Sequence, residues 1–145
     1  MYYSSAWVQE NHIAEHMTHP SIPDDVRRFI QQCIPSVPFL EAVLLVRDNT
    51  GRGWSSAQLA QRLYLSEEAA ATLLHGMQQA GIVRADGAPA APYHYGPSTP
   101  ELQHIVDRLA QVYASHLIDV SQLIHSKSHR KAQVFADAFI WKKEQ

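Results

Sequence analysis

The tightest constraint on this chain is a three-residue break, Tyr64-Leu65-Ser66, between two segments that each carry their own helix signals. Upstream, Ser55 with Gln58 three residues on is a capping box, in which each end satisfies an orphan backbone N–H of the other. Leu59, Ala60 and Leu63 then supply the buried face of that helix. Downstream, Ser66 is a good N-cap, Glu67 and Glu68 suit the positive end of a helix dipole, and Gly81 suits the C′ position. Ala70, Leu73, Leu74 and Met77 form its inward stripe. So short a break makes the connection a tight turn.

The flanking segments complete a recognisable order. Pro23 suits a first helical position and Asp24 and Asp25 a first turn, with Val26, Phe29, Ile30 and Cys33 facing inward. Pro35 and Pro38 end that helix and start the next, whose apolar positions are Phe39, Ala42, Val43 and Val46. That helix stops at the turn-rich DNTGRG, and Trp54 reads as a core anchor for the turn. After Gly81, Ile82-Val83-Arg84-Ala85 and Pro92-Tyr93-His94-Tyr95 read as two short strands around the Asp-Gly loop DGAPAA. Helix, helix, tight turn, helix and hairpin is the order of a winged helix-turn-helix. We therefore expect a mainly α chain with a small β wing. Residues 1–20 form a poorly ordered extension, 21–97 the winged domain and 98–145 a helical tail.

Within the tail, Thr99 and Pro100 restart a helix as N-cap and N1. No glycine or proline interrupts Glu101 to Ile124. Leu102, Val106, Leu109, Tyr113, His116, Val120 and Leu123 alternate in steps of four and three, a heptad seam along one helix of about 36 Å. Those seven residues are the expected contact of a homodimer. Ile105, Val112 and Ile124 widen the stripe, which equally suits a helix packed on its own globular body. The polar SKSHRK then leads to a short final helix, AQVFADAFIW, with Phe135, Ala138 and Phe139 on one side.

Three stretches resemble small bacterial winged-helix proteins of the MarR-like, transcriptional-regulator kind. They are GWSSAQLAQRLYLSEEAAATLLHGMQQAGIV, YHYGPSTPELQHIVDRLAQVY and LIHSKSHRKAQVFADAF, with Phe135-Ala136-Asp137-Ala138-Phe139 the most distinctive part. The resemblance implies a bacterial protein with a winged-helix fold; it supplies no ligand or catalytic residue.

If the module binds double-stranded DNA, the helix from Ser66 to Gly81 is its reading helix. The candidate contacts there are Ser66, Glu68, Ala71, Thr72, His75 and Gln79, joined by Arg84 and His94 on the wing. Glu68 can accept from cytosine N4, and Thr72 or Gln79 can reach base edges. Charge points the other way. Between Ala57 and Pro97, Arg62 and Arg84 face three carboxylates, Glu67, Glu68 and Asp86. Affinity for DNA comes largely from Lys and Arg neutralising phosphates. The basic cluster Lys127, Arg130 and Lys131 lies far along the chain, and Arg47 and Arg52 flank the first turn. The competing expectation is a protein-interaction module acting through its C-terminal helices.

The remaining classes are thinned by what the chain lacks. An apolar fraction of 46% and a formal charge of −2 suit a globular protein without a global nucleic-acid or membrane surface. One cysteine, Cys33, excludes an intrachain disulfide and a CxxC clip. MYYSSAWVQENH has neither the basic nor the apolar region of a signal peptide, and no apolar run spans a bilayer, so we expect a cytoplasmic protein with no membrane partner. No GxSxG, P-loop, dinucleotide turn or HExxH occurs, so neither enzyme activity nor a cofactor is expected. His12 and His16, near Glu15 and His19, and the pair His125 and His129 have metal-chelating spacing on unpatterned or broken segments, and no metal is expected there.

Overall fold

In the computed structural model, which describes residues 22–88 and 91–126, two helices form the base. Helix α1 (Asp24–Cys33) has Pro23 one position earlier than the sequence suggests, at the N-cap. It stops before Pro35, whose ring disfavours helical backbone at the preceding residue. Ser36 caps α2 (Val37–Asp48) by accepting from the Phe39 N–H at 3.2 Å. The two helices meet at 110°. Together with the buried faces of the elements that follow, Val26, Ile30, Leu40, Val43 and Val46 make one core cluster.

The capping signals around the tight turn are realised. Ser55 starts α3 (Ser56–Leu63) with both halves of the capping box, Gln58 N–H to Ser55 Oγ at 3.1 Å and Ser55 N–H to Gln58 Oε1 at 3.0 Å. Ser66 caps α4 (Glu67–Gln79), accepting from the Ala69 N–H at 3.0 Å. At the far end Gly81 takes φ +80°, the Ile82 N–H reaches Met77 O, and the Gly81 N–H reaches Gln78 O. This is a Schellman stop, and it turns the chain into the hairpin.

That hairpin, β2 (Val83–Ala85) and β3 (Tyr93–Tyr95), belongs to a three-stranded sheet of order β1-β3-β2. The third strand, β1 (Gly53–Trp54), stands where the sequence suggests the end of a turn; it pairs antiparallel with β3, Trp54 opposite Tyr93. Trp54 is wholly buried, as a core anchor should be. The arrangement is a winged helix-turn-helix, mainly helical with a small β wing.

The tail departs from the expected single helix. Helix α5 (Pro100–Ser115), capped by Thr99, ends at His116, and residues 117–126 are helical again. His116 has φ −136° and ψ 49°, donates its N–H to Val112 O at 2.7 Å and accepts from the Val120 N–H at 3.1 Å. It therefore closes one helix and opens the next. Ser115 Oγ lies 2.9 Å from His116 Nδ1 and donates to Gln111 O at 3.2 Å, a side-chain alternative to straight helix.

The break also redirects the expected seam. Val106, Leu109 and Val120 are fully buried and Leu123 is 4% exposed, all in the core they share with α1 and α2. Leu102 and Tyr113 pack half-buried against that core. The buried members of the heptad row thus pack within the chain, with α5 lying on α1. Among the described residues no single helix is long and apolar enough to cross a membrane. Residues 1–20, the basic cluster Lys127, Arg130 and Lys131, and the Phe135–Phe139 segment lie outside the described residues.

Candidate nucleic-acid interface

Helix α4 packs on α3, β2 and α2 through Ala70, Leu74 and Met77, which leaves the opposite arc to solvent. Glu68, Ala71, Thr72, His75 and Gln79 all lie exposed on that arc, following the i, i+3/4, i+7 rule. Two of the candidate donors are engaged locally. Ser66 Oγ is held by the cap, and Thr72 Oγ1 donates to Glu68 O at 3.1 Å, leaving its lone pairs outward.

The two edges of the arc differ. Gln79 lies beside the α1–α2 corner, lining a cleft of about 420 Å³ with Gln32, Cys33, Pro35 and Phe39. Gln78 lies on the wing side, lining a cleft of about 510 Å³ with Ser55, Ser56, Ala85 and Tyr93. Gln78 was not among the residues expected from sequence. A stripe counted along one helix does not say which edge the next strand will approach.

The wing residues occupy a different surface. Val83 and Tyr95 are partners in register and point into the core, so alternation puts Arg84 and its partner His94 on the outer face of the sheet. There the Arg84 guanidinium covers the Gly96 backbone, and the His94 ring packs where a side chain on Gly53 would sit. The structure thus brings Arg84 to His94 and gathers the α4 residues, but it keeps the two sets on separate faces. Tyr95, on the inner face, has its phenol pushed up by burial, and its hydroxyl has no hydrogen-bond partner among the described residues.

Three further features escaped the sequence reading. Tyr64, the C-cap of α3, has φ 58° and ψ 45° and is 94% exposed at the turn into α4. Arg52 and Arg62 both reach the Trp54 ring, their guanidinium carbons 4.1 Å and 5.6 Å from its centroid. Arg47, at the end of α2, is held by Asp107 and Asp48, each at 2.8 Å, and the Asp107 bond raises its pKa. Among the described residues no group of three or more His, Cys, Asp or Glu is placed to hold a metal ion. His12 and His16, and His129, are outside the described residues.

The chain is similar to several solved structures. One is a MarR family protein from Mycobacterium tuberculosis, 16% identical, with a TM-score of 0.44 over 94% of this chain and 92% of that one. Another is the multiple antibiotic-resistance repressor (MarR) from Listeria monocytogenes, 11% identical, with a TM-score of 0.46 over 95% and 92%. A third is a MarR family protein from Bacillus stearothermophilus, 13% identical, with a TM-score of 0.44 over 99% and 97%. No family model and no curated protein matches the sequence.

Proposed function

We propose that this protein is a transcriptional regulator that binds double-stranded DNA, with α4 in the major groove and the β2–β3 hairpin against the neighbouring backbone. The observation that carries this reading is α4 itself. It is a 13-residue helix fixed on one side by the core, capped at both ends, and presenting Glu68, Ala71, Thr72, His75 and Gln79 in one exposed row beside a hairpin. A rigid, outward row carrying hydrogen-bonding side chains is what reading base edges requires. The row contains no cation, so it supplies sequence preference and leaves phosphate affinity to other residues.

The test is fluorescence anisotropy of the full chain with labelled genomic fragments at ~50 mM salt, where electrostatic affinity is strongest. Binding is expected, and changing both Thr72 and His75 to Ala should reduce discrimination between fragments more than it reduces average affinity. Absence of binding at that salt sinks the proposal.

For assembly we propose a homodimer whose copies meet at the tail break rather than along the heptad row. Leu117 and Ile118 support this reading: they are adjacent, apolar, and 54% and 66% exposed. Light scattering should show the Leu117→Asp, Ile118→Asp variant as a monomer where the parent is a dimer. An unchanged mass places the contact elsewhere.

A further inference from the structure

The described arginines sort into two groups. Arg27, Arg47 and Arg108 are each held by carboxylates, Asp24 for the first, Asp48 and Asp107 for the second, Asp25 for the third, all at 2.8–2.9 Å. Arg28, Arg52, Arg62 and Arg84 have no ion pair among the described residues. The Arg47–Asp107 and Arg108–Asp25 pairs tie the two base helices to the tail, whereas Arg27–Asp24 lies within α1. Three of the four unpaired ones belong to the winged half.

Two of those three converge on one residue. Arg52 comes from the turn before β1 and Arg62 from the last turn of α3, yet both sit over the Trp54 ring. Trp54 is wholly buried and both arginines are exposed, so the indole supports them from the protein side while solvent takes the other. A guanidinium lying on an aromatic face keeps its in-plane N–H donors free for an oxyanion. The ring also limits the side-chain freedom that would otherwise be lost on binding. Both guanidiniums are supported by one ring and neither has an ion pair among the described residues, so both are available to oxyanions.

We propose that Arg52 and Arg62 are a phosphate clamp for the DNA backbone, built on Trp54, with Arg62 two residues before the turn into α4. The inference rests on the DNA-binding reading above. It accounts for the charge that α4 lacks: the clamp holds the backbone, and the helix reads the groove.

The experiment measures anisotropy of the full chain with a labelled random-sequence duplex from 50 to 200 mM salt. Neutralising a phosphate contact changes the slope of log affinity against log salt by roughly 0.9. The Arg52→Gln, Arg62→Gln variant, which retains side-chain stems over the ring, should therefore flatten the slope by about 1.8. Arg28→Gln, which removes an equally unpaired cation from α1, should leave the slope as it is. Thermal unfolding checks that each variant is folded, and Arg52→Lys, Arg62→Lys, which keeps both charges, should retain most of the slope. A wild-type slope in the double Gln variant overturns the clamp, as does equal flattening by Arg28→Gln. If the wild-type chain itself fails to bind at 50 mM salt, the DNA-binding reading falls and takes the clamp with it.

Discussion

Arg108 on α5 reaches Asp25 on α1 with two nitrogens, Nη2 donating to Oδ1 at 2.9 Å and Nε lying 2.9 Å from Oδ2 without hydrogen-bond alignment. The residue before it in sequence, Asp107, accepts from Arg47 Nε on α2 at 2.8 Å. Consecutive residues of the tail helix thus grip both base helices, one through a cation and the other through a carboxylate. The Val106 and Leu109 side chains next to them enter the core. Apolar burial holds α5 down, and the ionic pair of contacts fixes its rotation about its own axis.

The Asp25 contact gives the tail a dependence on acid. The Arg108 hydrogen bond is the main reason that the Asp25 carboxyl sits below its ordinary value, with burial opposing it and the Val26 N–H helping. A lowered folded-state value means that the contribution is complete above the unfolded carboxylate's pKa and is lost as pH falls through the folded one. Asp25→Asn removes this dependence and should leave the Val26 N–H an oxygen to bond. The melting temperature of the wild type should exceed that of the variant at pH 6, and the gap should narrow as pH falls below the ordinary carboxylate range. The Asp25 side chain is half-exposed, so added salt should narrow the gap as well. A gap unchanged by pH would mean that the two residues are neighbours without an energetic link.

Much of the winged half was legible because its signals are local. Ser55 with Gln58, Ser66 and Gly81 each act on backbone within one turn, and each does in the structure what its residue type implies. Strand β1 was not legible, since two residues have no alternation to read. The tail shows a different failure. Heptad spacing records which side chains share a face, and it did find the buried ones, but it says nothing of whether the backbone stays straight past Ser115-His116. Whether that face meets another copy or the chain's own α1 is a tertiary matter that one helix does not encode. On the candidate interface, the α4 row followed from helical periodicity, whereas the Arg52–Trp54–Arg62 meeting joins positions on separate elements and has no signature in spacing. Arg84 and His94 were found as residues but not as a surface, because strand alternation decides their face only once the inward partners are known.

Tyr64 offers the sharpest separation of stability from function. Its φ of 58° and ψ of 45° lie in the left-handed region, which disfavours a residue with a Cβ by about 1–2 kcal/mol. The conformation ends α3: the Tyr64 and Leu65 N–H groups both return to Ala60 O. Glycine is the residue suited to this cap, yet the chain places here a tyrosine that is 94% exposed and packs against little of the fold. Tyr64→Gly relieves the strain and adds unfolded-state entropy of roughly 0.4–1 kcal/mol against it. The variant is therefore expected to be slightly more stable, by about 0.5 kcal/mol, in denaturant unfolding. Tyr64→Val, β-branched at the same φ, should be less stable than either. In the anisotropy assay Tyr64→Gly should lose affinity, because an exposed aromatic hydroxyl at the turn into α4 is placed to reach the sugar-phosphate backbone. A Gly variant that is more stable and binds DNA as well as the parent would reduce Tyr64 to a cap and nothing more.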